Sequence, residues 1–255
     1  MQQHEYDVMA RAERDHWWYA NTRLILRESL ADRRDRHGST HVLDVGCGTG
    51  SAGGWLSELG HVIGLDMSNA ALAHYRSSHD GVPICGAIPQ LPFANDSFDV
   101  VVCVTVLYHS WVGSPNEAVA EFARVLKPDG VVVLLEPGIT WLRRAHDQQV
   151  MTGRRFSRRS LTTLFSGSGL HVQRVSGAYT FLAPPAAALS LLHRIRQRNS
   201  SDLSHHQSGG GGLALKIGAL ERYVLRRWNL PTGLSVFAVA TKRAEQNLAL
   251  ARDNG

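Results

Sequence analysis

Three glycines and two acids in the first quarter of this 255-residue chain have the types and spacing to do chemistry. The run Val42-Leu43-Asp44-Val45-Gly46-Cys47-Gly48-Thr49-Gly50 is an apolar stretch that empties into a glycine-rich loop. Glycines at 46, 48 and 50 let backbone approach a ligand closely, because no Cβ intervenes and positive φ is allowed. Sixteen residues beyond Gly50, a second apolar run, Val62-Ile63-Gly64-Leu65, closes on Asp66. An acid at that place can accept hydrogen bonds from both hydroxyls of a ribose. Loop and closing acid together predict a nucleoside site. The spacing G-x-G-x-G is not the G-x-G-x-x-G that sets a pyrophosphate on a helix N-terminus. Asp44, two residues before Gly46, would repel a pyrophosphate and suits an amino group or a sulfonium.

A second group of residues could act on whatever meets that nucleoside. The apolar run ending Val104 to Tyr108-His109 would open, in a parallel sheet, onto the crevice at the strands' carboxyl ends. His109 is the candidate general base, since an imidazole titrates near neutrality; a histidine capping the turn would look the same in sequence. Tyr108 is a candidate for touching the acceptor. His146 could serve as base if the loop after the fifth strand folds over the pocket. In His16-Trp17-Trp18-Tyr19, three adjacent aromatics cannot all face one core, so Trp18 and Tyr19 are expected to close the pocket from above. Arg154 and Arg155, with Arg158 and Arg159, could clamp a carboxylate or phosphate, because guanidinium matches those anions bidentately. A solvated basic face would show the same pattern.

The elements that must position these groups alternate. The sequence predicts a helix over 3–31, a strand at 41–45, helix 50–59, strand 61–65 and helix 69–78. Strands at 82–85 and 98–104 follow, then helix 115–126 and strand 130–135. Such alternation implies an α/β fold with a mostly parallel sheet and helices on both faces. Residues 170–175 and 234–240 read as two further strands, about fifty-five residues apart, far more than a hairpin connection needs. Within that insertion, 185–197 and 213–227 have helical character, and Ser200 to Gly212 reads as a flexible connection. The expected division is a helical lid over 1–38, a nucleoside-binding core over 39–178 and a helical cap over 179–230. A final strand over 231–243 and a tail over 244–255 complete it.

Several motifs in this order carry a resemblance. Asp44 to Gly50 resembles motif I of the class I S-adenosylmethionine-dependent methyltransferases, and Asp66 stands at that family's ribose-binding acid. Leu91-Pro92-Phe93 with Ser97-Phe98-Asp99, then Leu107-Tyr108-His109, then Arg124-Val125-Leu126-Lys127-Pro128-Asp129-Gly130 are similar to the family's later signatures. His16-Trp17-Trp18-Tyr19 and the stretch His146 to Ser157 resemble its type 11 small-molecule subgroup. The resemblance implies a Rossmann-like sheet of seven strands with an antiparallel last strand, and S-adenosylmethionine as cofactor. It implies cofactor contacts from Tyr19, Asp44, Gly46, Cys47, Gly48, Thr49, Gly50, Asp66, Met67, Ala87, Ile88, Val104 and His109. Trp18, Tyr108, Arg154 and Arg155 would face the acceptor. One departure matters: Ala87 stands where the family usually has an acid for the adenine amino group, so backbone and the apolar pair Met67 and Ile88 would have to hold the ring.

Composition narrows the partners. Residues 1–140 carry 10 Lys and Arg against 17 Asp and Glu, while 141–255 carry 17 against 5. The basic portion suits an acidic acceptor or peripheral contact with an anionic membrane. Of the 27 basic residues 24 are arginine, so genome composition explains part of the excess, and no nucleic-acid module is visible. No run of about 18 apolar residues predicts a membrane span, and no secretory leader is visible. Cys47, Cys85 and Cys103 lack C-x-x-C spacing, so buried reduced thiols, a cytoplasmic protein and no metal site are expected. The insertion is also compatible with a homodimer contact. The leading expectation is methyl transfer to an oxygen or nitrogen of a small molecule in specialised-metabolite or glycan biosynthesis. A methyltransferase-fold protein catalysing a non-methylating reaction such as cyclisation, or a non-catalytic cofactor-binding subunit, are the alternatives. A nicotinamide-dependent reductase is opposed by the loop spacing.

Overall fold

A computed structural model describes residue 13 and residues 16–33, 40–50, 52–139, 153–185, 187 and 211–243. Its helices are α1 (Trp17–Ser29), α2 (Gly53–Leu56), α3 (Asn69–Ser78), α4 (Pro115–Val125), α5 (Arg158–Leu164) and α6 (Gly211–Leu225). Its strands are β1 (Thr40–Val45), β2 (Gly60–Asp66), β3 (Val82–Cys85), β4 (Phe98–Val104), β5 (Leu126–Pro137), β6 (Leu170–Ala178) and β7 (Ser235–Lys242). They form one seven-stranded sheet in the order β3-β2-β1-β4-β5-β7-β6. β1 to β5 pair in parallel, and β7 runs antiparallel to both β5 and β6. The chain therefore reverses its direction of winding between β1 and β4, where an open α/β sheet leaves a crevice at the carboxyl ends of its strands.

The central strands read as near-continuous apolar runs because both their faces are covered. Leu43, Val45, Val101, Cys103, Val132 and Leu134 point into the core shared with α4 and α5. Val42, Val100, Val102, Val131, Val133 and Leu135 point the other way, into the core shared with α1, α2 and α6. Local chemistry sets the helix starts. The Ser68 side chain accepts the Ala71 N–H ahead of α3, and Ser114 accepts the Glu117 N–H ahead of α4, whose first residue is proline.

Several expectations need correcting. The helix over 3–31 is not continuous: His16 is extended (φ −80, ψ 128), and its Nδ1 accepts the Trp18 N–H at 3.2 Å, so a new helix starts at Trp17. The helix over 50–59 contracts to Gly53–Leu56, with turns on both sides. β5 begins at Leu126 rather than 130, running through Asp129 at φ 61. α6 takes Gly211 and Gly212 out of the presumed flexible connection, whose earlier part lies outside the described residues. The helix over 185–197 and His146 lie largely or wholly outside them as well. Cys85 is exposed on edge strand β3, whereas Cys47 and Cys103 are buried.

The described part of the 179–230 insertion lies on the α1 side of the sheet. Gly218 of α6 sits against Asn21 of α1, where a Cβ would come 2.4 Å from Asn21 Oδ1. The buried Glu221 carboxylate accepts the N–H groups of Tyr179 and Phe181, the latter at 2.9 Å. Tyr179 in turn reaches α1, its hydroxyl lying 2.6 Å from Thr22 Oγ1 and donating to the Trp18 carbonyl at 3.2 Å. The insertion thus braces the N-terminal helix. Among the described residues no helix is long and apolar enough to cross a membrane.

Candidate functional site

The glycine loop folds back on the end of β2. Gly46 N–H and Cys47 N–H both donate to the Leu65 carbonyl, at 2.7 and 3.0 Å. Gly48 N–H donates to Asp66 Oδ2 at 3.0 Å, while Ser68 N–H donates to Asp66 Oδ1 at 2.8 Å. Gly46 has φ 67, and a Cβ there would lie 2.3 Å from Val106 Cγ2, so only glycine fits. A recess opens beside this loop at the carboxyl ends of the strands. Val45 and Gly46 line it from the end of β1 and the loop that follows; Leu65, Asp66 and Met67 from the end of β2 and just beyond; Gly86, Ala87 and Ile88 from the segment after β3; and Val106 and Trp111 from the turn after β4. Met67 and Ile88 are thus both placed to hold a flat ring.

Asp66, which lines the recess, has further buried acids near it. Asp44 is buried, and its Oδ2 has no hydrogen-bond partner among the described residues. Burial, then the nearby charges of Asp66 and Glu13, push its carboxyl up to about 7. Glu13, also buried, accepts the Thr49 hydroxyl at 2.5 Å and is raised by burial to about 7. Burial raises Asp66 too, against its backbone hydrogen bonds. A buried carboxyl with an unpartnered oxygen and two further acids nearby is readily ionised only beside a cation. The ammonium and sulfonium of S-adenosylmethionine are such cations, its ribose suits Asp66, and its adenine suits the Met67–Ile88 slot.

Comparison with known proteins agrees. Residues 43–134 match the family described as "Methyltransferase domain". The chain is 30% identical over 182 residues to a "Probable S-adenosylmethionine-dependent methyltransferase" of Mycolicibacterium smegmatis, covering 69% of this chain and 67% of the relative. This chain belongs to the S-adenosylmethionine-dependent methyltransferases. A ubiquinone biosynthesis O-methyltransferase of Hahella chejuensis is 36% identical over 126 residues, covering 44% of this chain and 52% of the relative, so this match spans about half of that protein. The fold is that of the Haemonchus contortus phosphoethanolamine N-methyltransferase 2 solved with S-adenosyl-L-methionine: TM-score 0.53, 20% identity, 86% of this chain and 53% of that one.

This methyltransferase carries an aromatic stack in the turn after β4. The His109 ring lies between Tyr108, with centroids 4.0 Å apart, and Trp111, stacked at 5.0 Å and 21°. The Trp111 side chain also lines the recess, so the imidazole stands one ring away from it. Tyr19 of α1 comes close enough to Tyr108 and Glu13 that their charges, after burial, help push its phenol up. Trp18 packs edge-on against Tyr19, at 4.8 Å, and against the core on the α1 side.

Two other predicted groups sit differently. Arg154 Nη2 donates to the Val112 carbonyl at 2.8 Å, and Arg155 Nη1 to the Gly138 carbonyl at 3.1 Å, so both guanidiniums brace loops around the turn. Val104 packs into the α1-side core rather than lining the recess, where Val106 stands instead. The Cys47 side chain clusters with Leu72 and Tyr75, and Gly50 (φ 105) lies against His79. These two support the loop from behind.

Sequence reasoning missed Glu13, Trp111 and Glu136, and within the Val104 to His109 group it did not single out Val106. Glu136, the acid that closes the apolar run of β5, is fully buried and accepts three backbone N–H groups of the turn. It repeats the signal that identified Asp66, an acid at the end of an apolar strand. Glu13 lies in a charged stretch that reads as solvated helix, and no local signal marks it.

Proposed function

We propose that this methyltransferase transfers the cofactor's methyl group to an oxygen or nitrogen of a small-molecule acceptor in a biosynthetic pathway, with His109 as general base. The observation that carries this reading is the position of the imidazole, stacked on Trp111, which itself lines the recess. S-adenosylmethionine supplies, when bound, a carbon already activated by a positive sulfur. What the protein must add is orientation, exclusion of water and, for a neutral acceptor, removal of a proton. Asp66, Asp44 and the glycine loop orient the nucleoside and its amino-acid end. Trp111 lines the space beside it, and Tyr19, with Trp18 packed against it, would close that space from α1. His109 takes the proton from the acceptor's hydroxyl or amine as the bond to carbon forms. An acidic acceptor would be drawn to the positive charge that Arg154 and Arg155 hold around the turn. The name of the Hahella chejuensis relative, an O-methyltransferase, supports an oxygen acceptor.

The test is incubation of the protein with methyl-labelled cofactor and panels of hydroxylated and amino small molecules, read by mass spectrometry. Label appearing on an acceptor oxygen or nitrogen, and lost with His109→Ala, is the expected result. Label on carbon or sulfur, or a product formed without label, would replace this reading.

A further inference from the structure

We infer that Glu136 is the positioning residue of the reaction, its buried carboxylate holding the backbone of Val106, Leu107 and Tyr108 and so aiming Tyr108 and His109 at the recess. The inference rests on the reading of that recess as the cofactor's. Glu136 lies at the carboxyl end of β5, with no exposed surface at all. Its Oε1 accepts the N–H of Val106 at 3.2 Å and of Leu107 at 2.9 Å, and its Oε2 accepts the N–H of Tyr108 at 3.2 Å. These three residues belong to no helix or strand, so no ladder partner satisfies their donors. The opposite edge of the turn is fastened too: the Tyr108 carbonyl accepts Gly153 N–H at 2.9 Å and Arg154 N–H at 3.1 Å. Thr105, at φ 52, redirects the chain out of β4 while its N–H donates to the Leu135 carbonyl at 2.7 Å.

The residue type follows from the count. Three donors converge on one side chain, and a carboxyl group offers two oxygens and no N–H to meet them. A glutamine of the same shape has one such oxygen, and its NH₂ would face a donor. Burying a charge is costly unless it is fully hydrogen-bonded. Burial does push Glu136 up to about 8, and the three N–H bonds and Arg154 oppose the rise. Here that cost is borne at the turn whose Val106 lines the recess and whose His109 stacks on Trp111.

The test compares the wild-type enzyme with Glu136→Gln by nuclear magnetic resonance, using S-adenosylhomocysteine as ligand. In the wild type, the amides of Val106, Leu107 and Tyr108 exchange slowly although they lie in a turn. In Glu136→Gln at least one of them exchanges about tenfold faster or more, while amides of β1 and β2 keep their rates. The His109 ring protons, shifted by Tyr108 and Trp111, move toward ordinary imidazole positions, and those of His41 and His61 stay. A folded Glu136→Gln with unchanged turn amides and unchanged His109 signals would overturn the role. Should the variant not fold, the wild type decides alone: unprotected amides at 106–108 would overturn it equally. Failure of the wild type to bind S-adenosylhomocysteine would instead strike the reading of the recess.

Discussion

Asp66 and Gly48 are joined by a hydrogen bond from the loop N–H to carboxylate Oδ2 at 3.0 Å, across the edge between β1 and β2. The acid at the end of one strand thereby fixes the shape of the glycine loop leaving its neighbour. Both Asp66 oxygens accept backbone N–H groups, so the carboxylate is oriented before any ligand arrives. Preorganisation of that kind lowers the cost of ordering the site on binding.

The loop tolerates little change. In Gly46→Ala, the new Cβ would meet Val106 Cγ2 at 2.3 Å, in a backbone of φ 67 that L-residues rarely adopt. A loss of about 1–3 kcal/mol in folding stability is expected, with weaker cofactor binding as Val106 is pushed into the recess. Urea denaturation reads the first and calorimetry the second. An alanine variant as stable as the parent would show that the loop adapts freely.

Cofactor affinity should rise with pH between about 6 and 8. Burial raises both Asp44 and Glu13 to about 7, so below that pH the free protein holds them neutral. The unfolded chain loses those protons near pH 4, so their contribution to folding stability is largest below that and declines as pH climbs to 7. A cationic ligand reverses the preference, because it favours the ionised carboxylate and expels the proton. Affinity should therefore change by up to about tenfold per pH unit below 7 and level off above it. Asp44→Asn should weaken binding and flatten the profile. Calorimetry at pH 6.5 in buffers of different ionisation enthalpy should detect proton release; its absence in the wild type would remove Asp44 from contact with the ligand's cation.

Replacement of His109 by alanine should lower methyl transfer to a neutral acceptor by roughly 10²–10⁴-fold while leaving cofactor affinity nearly intact. Rates near those of the parent would reduce the imidazole to a spacer between Tyr108 and Trp111.

Helix α1 depends on a hydroxyl far from it in sequence. Tyr179→Phe removes the contacts to Thr22 Oγ1 and the Trp18 carbonyl, leaving buried polar groups short of a partner. A stability loss of about 1–3 kcal/mol is expected, with a change in the fluorescence of Trp17 and Trp18, which pack against Tyr179. An unperturbed spectrum and unchanged denaturation midpoint would contradict the bracing role of the β6–α6 connection.

Much of the fold could be read from local chemistry. The alternation of strand and helix patterns placed α3 and α4, and unbroken apolar runs marked the buried strands. The glycine loop and Asp66 were legible because sixteen residues of βαβ unit hold their whole relationship. The helix break at His16 was not, since histidine is an uncommon N-cap and its role depends on Nδ1 reaching the Trp18 N–H. Nor was Glu136: its three partners lie about thirty residues away, and only the sheet brings β4 and β5 side by side. The pairing of Glu13 with Thr49 likewise exists only once the N-terminal segment has docked.

The central claim, that the recess beside Gly46 and Asp66 holds S-adenosylmethionine, is tested most directly by calorimetry. S-adenosylhomocysteine is titrated into the wild type and into Asp66→Ala. A saturable one-to-one isotherm for the wild type, and a loss of about 1.5–3 kcal/mol of binding for the folded variant, is the predicted result. Equal affinity of the two proteins, or tighter binding of NADH than of S-adenosylhomocysteine, would contradict it.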